Sequence, residues 1–374
     1  MEMRKKFDEI FEDCTKLGTK IKTDEYHSNG KHPIIDQGQE MVAGFTDLED
    51  GLFDAVPAIV FGDHTRIIKY VDYPFFLGAD GVKVLRSKVP NANYRYLYYA
   101  LKNAKIPNTG YNRHYKWLKE LEIEYPPISQ QIKTVKVLDE VESIIHNRQN
   151  QLQKLDELVK ARFVELFGNP VINNKGWNVS DLGQLTIKIG SGATPKGGKE
   201  AYQTDGISLI RSMNVHNGKF EYKELAHISD EQAARLENVA VEENDVLLNI
   251  TGASVARSCV VPTNVLPARV NQHVCIIRCK DSIMPDFINS LLIDDNYQDL
   301  LWSIAGSGAT REAITKQQVE SLQIILPPIS KQEEFSKFIN RVDKSKLQVP
   351  SGNALCIRYP IFYRNNIFER SIKC

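Results

Sequence analysis

The chain has few cysteines, no long apolar run and no excess of either charge. Its six cysteines among 374 residues include no Cys-x-x-Cys pair, which argues against a disulfide-stapled secreted fold and favours a reducing compartment. The first residues, MEMRKKFDEIF, are charged and lack the apolar segment of a signal peptide. The apolar runs fall far short of the ~20 residues that a membrane span needs. We therefore predict a cytoplasmic protein without a membrane segment.

The charge balance disfavours one class of function. The 47 Lys and Arg residues equal the 47 Asp and Glu residues, which argues against a highly basic protein that coats nucleic acid or anionic membrane without selectivity and leaves room for a local basic face. Hydrophobic residues make up 42% of the chain and charged residues 25%, which is typical of soluble globular proteins. The length predicts two to three domains.

A repeat organises the chain. Residues 121–131 read LEIEYPPISQQ, and residues 322–332 read LQIILPPISKQ. Weaker matches precede the two copies: 54–62 (DAVPAIVFG) resembles 245–252 (DVLLNITG), and 78–86 resembles 269–278. Since the elements follow the same order twice, we predict two copies of one globular design, each followed by a helix.

Local patterns indicate a mixed fold. Short β-branched segments bounded by Gly, Pro, Asp or Asn predict strands, at 56–61, 66–71, 82–86, 207–211, 245–250, 258–261 and 273–278. Helical patterns cover 7–14, 94–102, 231–236 and 285–301. Strands and helices do not alternate regularly, so an α+β class is favoured over a doubly wound sheet.

The segment after the first Pro-Pro pair predicts a long helix. Ser129 is the expected N-cap, and Gly168-Asn169-Pro170 ends the helix; its 39 residues would span roughly 58 Å. A heptad seam alternates steps of three and four and comprises Leu138, Val141, Ile145, Arg148, Leu152, Leu155, Val159, Arg162 and Leu166. We place Ile132 and Val135 on the same side, after a phase slip.

A second helix is expected to run from Ser330 to Gln348 and to stop at Pro350. It is half as long as the first helix. The sequence from 349 to 374 does not continue the heptads, and we assign it no fold.

Two globular units, each closed by Leu-x-Ile-x-x-Pro-Pro-Ile-Ser-x-Gln and a helix, resemble the specificity (S) subunit of type I restriction–modification systems. The helix end LDELVKARFVELFGNP (155–170) and the strings GSGATPKGG (190–198) and GSGATRE (306–312) also carry the resemblance. It implies two target recognition domains, 1–127 and 169–328, separated by long antiparallel coiled-coil helices, 128–168 and 329–348, with 349–374 as a divergent tail.

The resemblance also implies a function. Each domain would read one half of a split site in double-stranded DNA. The helices would set the length of the unspecified spacer between the two halves and would dock two modification (methyltransferase) subunits. Restriction (motor–nuclease) subunits would join through the methyltransferase core. S-adenosylmethionine, ATP and Mg²⁺ would bind those partner subunits, and this chain would bind no cofactor.

A search for catalytic motifs supports a non-enzymatic chain. GATPKGGKE lacks the glycine and Ser/Thr positions of a phosphate-binding loop. Both Pro-Pro-Ile segments lack the leading Asn/Asp and the trailing aromatic of the amino-methyltransferase motif. Cys275 and Cys279 share one face of a predicted strand, where buried thiols are favoured over a metal site.

DNA binding must then be local, because neither domain is basic: 18 Lys/Arg stand against 19 Asp/Glu in 1–128, and 14 against 18 in 169–328. Loop residues that can donate to base edges or phosphates are the candidates. In the first domain they are Arg66, Lys69, Asn112, Arg113, His114 and Tyr115; in the second they are Lys196, Lys199, Arg211, Asn214, Arg257, Asn271, Gln272 and Arg311. Arg113 and Arg311 are favoured because they hold like positions before the duplicated block. Arg148 and Arg162 are favoured as register-setting or partner-binding residues.

Two alternatives stay open at this stage. One is an active fused restriction–modification enzyme, which would need a methyltransferase or nuclease motif. The other is a degenerate or truncated scaffold, suggested by the short second helix, that assembles subunits without reading DNA.

Overall fold

A computed structural model of the chain describes residues 4–110, 112–195, 197–306 and 312–348, without the side chains of residues 199, 347 and 348. The described residues form two compact units, one ending at Asn147 and the other beginning at Arg148. Each unit contains sheets and helices, so the predicted α+β class is confirmed. The segment from 349 to 374 lies outside the described residues.

The first unit contains nine short strands within its described residues. They are β1 (Arg4–Lys6), β2 (Phe11–Asp13), β3 (His32–Ile35), β4 (Gly44–Thr46), β5 (Ala58–Gly62), β6 (Ile68–Val71), β7 (Phe76–Leu77), β8 (Val82–Ser87) and β9 (Glu122–Glu124). Its helices are α1 (Phe7–Ile10), α2 (Tyr94–Lys102), α3 (Tyr115–Lys119) and the start of α4 (Ile128–Phe167).

The second unit contains the end of α4 and a longer set of strands. They are β10 (Asn178–Asp181), β11 (Thr186–Ser191), β12 (Ile207–Ile210), β13 (Val215–His216), β14 (Lys219–Phe220), β15 (Ala226–Ile228), β16 (Ala240–Val241), β17 (Val246–Asn249), β18 (Ser258–Val260), β19 (Ala268–Val270), β20 (Val274–Cys279) and β21 (Gln323–Leu326). Its other helices are α5 (Asp230–Arg235), α6 (Pro285–Leu292), α7 (Asp295–Gly306), α8 (Lys316–Glu320) and α9 (Ile329–Gln348).

The two units share one strand topology. The central sheet has the order β2-β8-β5-β6 in the first unit and β11-β20-β17-β18 in the second, and it is antiparallel throughout. The second sheet has the order β4-β3-β7 in one unit and β15-β12-β19-β16 in the other, where β16 is an additional strand, and each sheet has one parallel pair. The pairs β1–β9 and β10–β21 complete the correspondence. The predicted duplication is therefore a duplication of topology as well as of sequence.

Each central sheet is buried on both faces. In β17, Val246 and Leu248 face a cluster with helical side chains such as Phe287, whereas Leu247 faces the second sheet. A strand that is covered on both sides needs apolar residues along its length, which explains the continuous apolar runs AIVF in β5 and VLL in β17.

The duplicated Pro-Pro-Ile-Ser block starts each long helix at the isoleucine, one residue before the serine. α4 begins at Ile128, and the backbone N–H of Gln131 donates to the carbonyl of Pro127 at 3.1 Å. Ser129 is therefore inside the first turn, and its assignment as N-cap is wrong. Pro127 takes the N-cap position. Its carbonyl accepts the first hydrogen bond of the helix, and because proline has no N–H group, no donor is left unpaired there.

A glutamine completes both helix starts. The side-chain amide of Gln131 donates to the carbonyl oxygen of Pro126 at 2.8 Å, and Gln332 makes the same bond to Pro327 at 2.8 Å. Both glutamines are buried. This accounts for the final Gln of the repeated block, since an unpaired buried carbonyl would be costly.

The exposure of α4 follows the heptad pattern beyond its first turns. Leu138 and Leu166 are buried, and the intervening seam positions are half-buried. Ile132 differs from the prediction: its side chain is 57% exposed. The first turns instead bury Gln131, Thr134 and Leu138, because this part of the helix lies against the domain that precedes it.

In the second unit, α9 runs antiparallel to the last turns of α4. Arg162 pairs with Glu334, and Lys346 pairs with Asp156 at 2.8 Å, so the residue number rises on one helix as it falls on the other. Phe335 packs against Phe163 with ring centroids 5.6 Å apart. α9 has 20 residues and α4 has 40.

Two predicted helices are interrupted. The pattern from Phe7 forms helix only to Ile10, because Phe11–Asp13 pairs with β8 as an edge strand. The pattern from 285 to 301 is divided into α6 and α7 at Ile293 and Asp294. Tertiary pairing and a local turn overrode helical periodicity in these segments.

Candidate nucleic-acid interface

In the first unit, several loops meet at one end of the central sheet. Gly62, at the end of β5, is opposite Val82, at the start of β8. The N–H of Asp63 donates to the carbonyl of Gly81 at 2.7 Å, and the N–H of His114 donates to the carbonyl of Asp63 at 2.8 Å. We call the loops 36–40, 62–67, 78–81, 108–110 and 112–115 the first loop cluster.

Loops also meet at this end of the central sheet in the second unit. Asn249, at the end of β17, is opposite Val274, at the start of β20. The N–H of Ile314 donates to the carbonyl of Ile250 at 2.8 Å, and the N–H of Gly192 donates to the carbonyl of Asn271 at 3.1 Å. We call the loops 192–195, 250–257, 271–273 and 312–315 the second loop cluster.

A glutamine ties the first loop cluster together. Nε2 of Gln37 donates to the carbonyl of Asp80 at 3.1 Å, and Oε1 accepts from the N–H of His64 at 3.2 Å. A Cβ at Gly81 would lie 2.7 Å from this amide, and a Cβ at Gly62 would lie 2.9 Å from the Cβ of Gln37. The two glycines therefore leave the space that the glutamine side chain fills.

A chain of polar side chains ties the second loop cluster together. Oγ1 of Thr194 donates to Oε1 of Gln272 at 2.6 Å, and Nε2 of Gln272 lies 3.0 Å from Nε2 of His273. Nδ1 of His273 lies 2.5 Å from Oγ1 of Thr251. These contacts hold three loops of the cluster in one arrangement.

The β5–β6 hairpin of the first unit and the β17–β18 hairpin of the second unit each close through a residue with left-handed backbone. Arg66 has φ +62° and donates its N–H to Gly62 at 2.7 Å; Ala256 has φ +70° and donates its N–H to Asn249 at 2.8 Å. This conformation is uncommon for residues other than glycine. The hairpins therefore close with the same geometry, although the second one is longer.

Two candidates in the first unit have structural roles. Lys69 is buried, and its ammonium group contacts the carbonyl of Glu40 and lies 3.5 Å from the carboxylate of Asp36; burial lowers the pKa of Lys69. His114 is fully buried, with Nδ1 3.0 Å from the carbonyl of Asp63. We therefore remove both from the base-reading candidates, because their polar groups hold loops in place.

Asn112 and Arg113 are exposed in the first loop cluster. Tyr115 is half-buried, and its ring packs edge-on against Phe7 at 6.2 Å and lies 6.4 Å from the ring of Phe61. Asn112 and Arg113 thus stay available for a ligand, whereas the Tyr115 ring belongs to the packing of the domain.

In the second unit, Asn214 is fully buried. Its amide donates to the carbonyl of Glu221 at 2.9 Å, and its Oδ1 accepts from the N–H of Arg211 at 3.0 Å. Arg211 lies over the ring of Tyr202, 5.2 Å from its centroid. Asn214 therefore shapes a turn and is removed from the base-reading candidates.

The remaining described candidates belong to the second loop cluster. Asn271 is buried, and its Oδ1 accepts from the N–H of His273 at 3.0 Å, so it stabilises the turn into β20 and is also removed. Gln272 and Arg257 are half-buried at the surface of the cluster. Lys196, Arg311 and the side chain of Lys199 lie outside the described residues.

The two favoured arginines do not occupy equivalent positions. α3 begins at Tyr115 and α8 at Lys316, so the counterpart of Arg113, two residues before α3, is Ile314. Arg311 is five residues before α8. The two arginines were aligned through a short match between residues 110–114 (GYNRH) and 308–312 (GATRE), and this match was misleading because the two loops differ in length.

The structure adds polar residues that sequence analysis missed. Gln37, His64 and Thr65 lie in the first loop cluster, and Thr194, Thr251 and His273 lie in the second. The signal in the first unit was the pair of glycines at the two strand ends, Gly62 and Gly81. They mark a close approach, but a single sequence does not show which side chain fills it.

A charged cluster joins α2 to α4 within the first unit. Nε of Arg95 donates to Oδ1 of Asp139 at 3.2 Å, and Nζ of Lys102 lies 2.5 Å from Oε1 of Glu142. The hydroxyl of Tyr99 donates to the other carboxylate oxygen of Glu142 at 3.0 Å. This cluster fixes the first turns of α4 on the domain.

Comparison with known proteins agrees with the duplicated fold. The model of the type I restriction modification DNA specificity domain matches residues 3–156 and again residues 174–351. The chain belongs to this family. It contains two copies of the specificity domain, one in each half, and the predicted family is confirmed.

Related proteins carry the same description. The chain is 20% identical over 349 residues to the type I restriction enzyme EcoR124I/EcoR124II specificity subunit of Escherichia coli, which covers 89% of this chain and 84% of that protein. It is 22% identical over 223 residues to the putative type I restriction enzyme MjaX specificity subunit of Methanocaldococcus jannaschii, covering 56% of this chain and 49% of the relative.

The fold also matches a solved structure. The crystal structure of the type I restriction-modification system S subunit from M. genitalium superposes with a TM-score of 0.57 at 15% identity, covering 96% of this chain and 94% of that one. At this identity the match supports the fold of the specificity-domain family and is silent on individual residues.

The described residues hold neither a membrane-spanning helix nor a metal cluster. None of the described helices is both long and apolar enough to cross a membrane. Among the same residues, no group of three or more His, Cys, Asp and Glu side chains is placed to hold a metal ion. Cys275 is buried and Cys279 packs against the same apolar cluster, and burial raises the pKa of both thiols to about 12.

Proposed function

We propose that this chain is the DNA-reading specificity subunit of a type I restriction–modification complex, with each loop cluster reading one half of a split target. The observation that carries the proposal is the pair of loop clusters at the same end of the same duplicated sheet. Loops on a rigid sheet are suited to recognition, because the scaffold holds their side chains in place.

The exposed side chains of the clusters suit the reading of base edges. Arg113 and Asn112 in the first unit, and Arg257 and Gln272 in the second, carry the donors and acceptors that distinguish base pairs in the major groove. The two sets differ in chemistry, so the two halves of the target would differ in sequence. Because the two units share one topology, they would present these side chains to the two halves of the target in a similar way.

Partner subunits would supply much of the affinity. Neither half of the chain is basic, so few phosphates would be neutralised by this chain alone, and DNA binding would be weak without the modification subunits. We propose that two modification subunits dock on the helices and that restriction subunits join through them.

The groove between α4 and α9 in the second unit is the proposed docking surface there. It has a volume of about 570 Å³ and is lined by Leu155, Leu158, Phe338 and Val342, with Arg341 at its edge. Leu158 is 48% exposed. An apolar groove between two antiparallel helices is the shape into which a further helix packs.

Chemistry is assigned to the partners. We propose that this chain is non-catalytic and that the modification and restriction subunits bind S-adenosylmethionine, ATP and Mg²⁺.

Sequencing of methylated bases in cells that carry the whole operon tests the proposal. The wild type should methylate a split motif; Arg113→Ala should relax base preference in one half only, and Gln272→Ala in the other half only. Arg235→Ala, on the exposed face of α5, is the matched control. Intact modification subunits with an unmethylated genome would favour the scaffold that reads no DNA.

A further inference from the structure

A basic groove lies beside the first loop cluster. It has a volume of about 590 Å³, and its floor is strand β6 with Ile68 and Tyr70. Four cationic side chains line it: Arg66, Lys69, Arg95 and Lys102. Arg66 also belongs to the first loop cluster, so the groove opens directly from the proposed DNA-reading loops.

Three of these four cations already have carboxylate partners. Lys69 lies 3.5 Å from Asp36. Arg95 pairs with Asp139, and Lys102 pairs with Glu142 at 2.5 Å. Their charges are thus largely balanced within the unit, and they shape the groove more than they add to its net charge.

Arg66 differs from the other three. Its guanidinium donates from Nη1 to the backbone carbonyl of Ile106 at 3.3 Å, a neutral acceptor that leaves the charge of the side chain uncompensated among the described residues. That bond uses one donor of the five that a guanidinium carries. The remaining donors and the positive charge are available to an anion in the groove.

The backbone at this position does not require an arginine. Arg66 has φ +62°, where glycine, asparagine or aspartate would be accommodated more readily. The equivalent residue in the second unit is Ala256, with φ +70°. The hairpin therefore closes without a cation in the second unit, and the arginine is not needed for that closure.

We propose that Arg66 contacts one phosphate of the DNA backbone, and that the groove beside β6 guides a DNA strand away from the first loop cluster. The inference rests on the proposed function. Arg66 then acts as a phosphate-positioning residue and not as a base reader, because its side chain is tethered to Ile106 inside the groove. Ala256, at the same turn of the second unit, has no side chain that could make this contact.

The salt dependence of DNA affinity tests the proposal. The full chain, in complex with its modification subunits, is titrated with two duplexes of equal length. One contains the split motif identified by sequencing of methylated bases, and the other has an unrelated sequence. Arg66→Asn keeps a residue that tolerates the left-handed backbone and removes the charge. The slope of log affinity against log salt should become shallower by about 0.9, which is about fivefold in affinity near 150 mM salt.

Two further measurements separate the outcomes. Arg66→Lys should restore the salt slope, and Arg66→Asn should weaken both duplexes equally, so that their affinity ratio is unchanged. Neutral methylphosphonate linkages, placed one at a time in the target, should reveal one position where the wild type loses affinity and Arg66→Asn loses none.

The opposing results are distinct. A wild-type complex that binds the two duplexes equally would contradict the proposed function and this inference together. A wild type that prefers its target, with an unchanged salt slope in Arg66→Asn, would overturn the phosphate contact alone. A fall in the affinity ratio would show that Arg66 reads a base.

Discussion

The side-chain amide of Gln332 donates a hydrogen bond to the carbonyl oxygen of Pro327 at 2.8 Å, at the start of α9. The same glutamine accepts at Oε1 from the N–H of Met284 at 2.9 Å. Gln131 makes the equivalent bond to Pro126 at 2.8 Å, but its Oε1 has no hydrogen-bond partner within the described part of the chain. The two copies of the block thus share one contact and differ in the other.

This difference predicts unequal costs of substitution. Gln332→Ala leaves a carbonyl and an N–H unpaired in a buried site, whereas Gln131→Ala leaves only a carbonyl. Each unpaired group costs about 1–3 kcal/mol, so Gln332→Ala should lower the free energy of unfolding more than Gln131→Ala. Urea unfolding of the two variants measures this, and equal losses would contradict the assignment.

The charged cluster between α2 and α4 predicts a dependence on pH. Burial raises the pKa of Glu142, but the hydrogen bonds from Lys102 and Tyr99 and the charge of Arg95 outweigh it, so the pKa is below its ordinary value of 4.5. The stabilisation is therefore complete above pH 4.5 and is lost as the pH falls through the lower pKa of the folded state.

Glu142→Gln should remove this dependence. The difference in unfolding free energy between wild type and Glu142→Gln should be constant near neutral pH and should shrink below pH 4.5. Unfolding by urea at several pH values measures it. Glu157→Gln, at an exposed position of the same helix, is the control and should show no such change.

The groove between α4 and α9 predicts a docking defect. Leu158→Glu places a charge in the apolar groove, and burying it against a partner helix would be costly. We expect at least tenfold less modification subunit to copurify, with unfolding unchanged because Leu158 is exposed in the free chain. Ile187→Glu, an exposed apolar position on β11, should copurify normally; loss in both variants would argue against a specific groove.

Gly190, in β11, and Gly192, in the loop that follows this strand, predict opposite tolerance to substitution. A Cβ at Gly192 would lie 1.7 Å from the carbonyl oxygen of Val270, whereas a Cβ at Gly190 meets no described atom within 4 Å. Gly192→Ala should displace the second loop cluster, destabilise the chain by about 1–3 kcal/mol and weaken DNA binding. Gly190→Ala should do neither. Thermal unfolding and DNA titration of the pair test this.

The repeated block and the heptad seam are visible in the amino-acid sequence alone. Pro-Pro followed by Ile-Ser marks a helix start because proline cannot be accommodated further inside, and Leu138 to Leu166 recur at the spacing of a helix face. The α+β class and the duplication followed from such local rules, and the family followed from the resemblance that the repeated block carries.

The candidate site was harder to predict. Lys69, His114, Asn214 and Asn271 have the donors of a DNA reader, yet each is buried and holds a loop. Polarity in the sequence does not show whether a side chain points to solvent or to a neighbouring carbonyl. That depends on contacts such as that of His114 with Asp63, 51 residues apart.

The sequence by itself determined that one design occurs twice and that a long helix follows each copy, because periodicity and proline chemistry act over neighbouring residues. Only the tertiary structure decided which loops come together at the end of each central sheet. Strand pairing joins segments far apart in the chain, and it placed Gln37 between the two glycines, Arg66 at the mouth of a basic groove, and Ala256 at the same turn of the other copy.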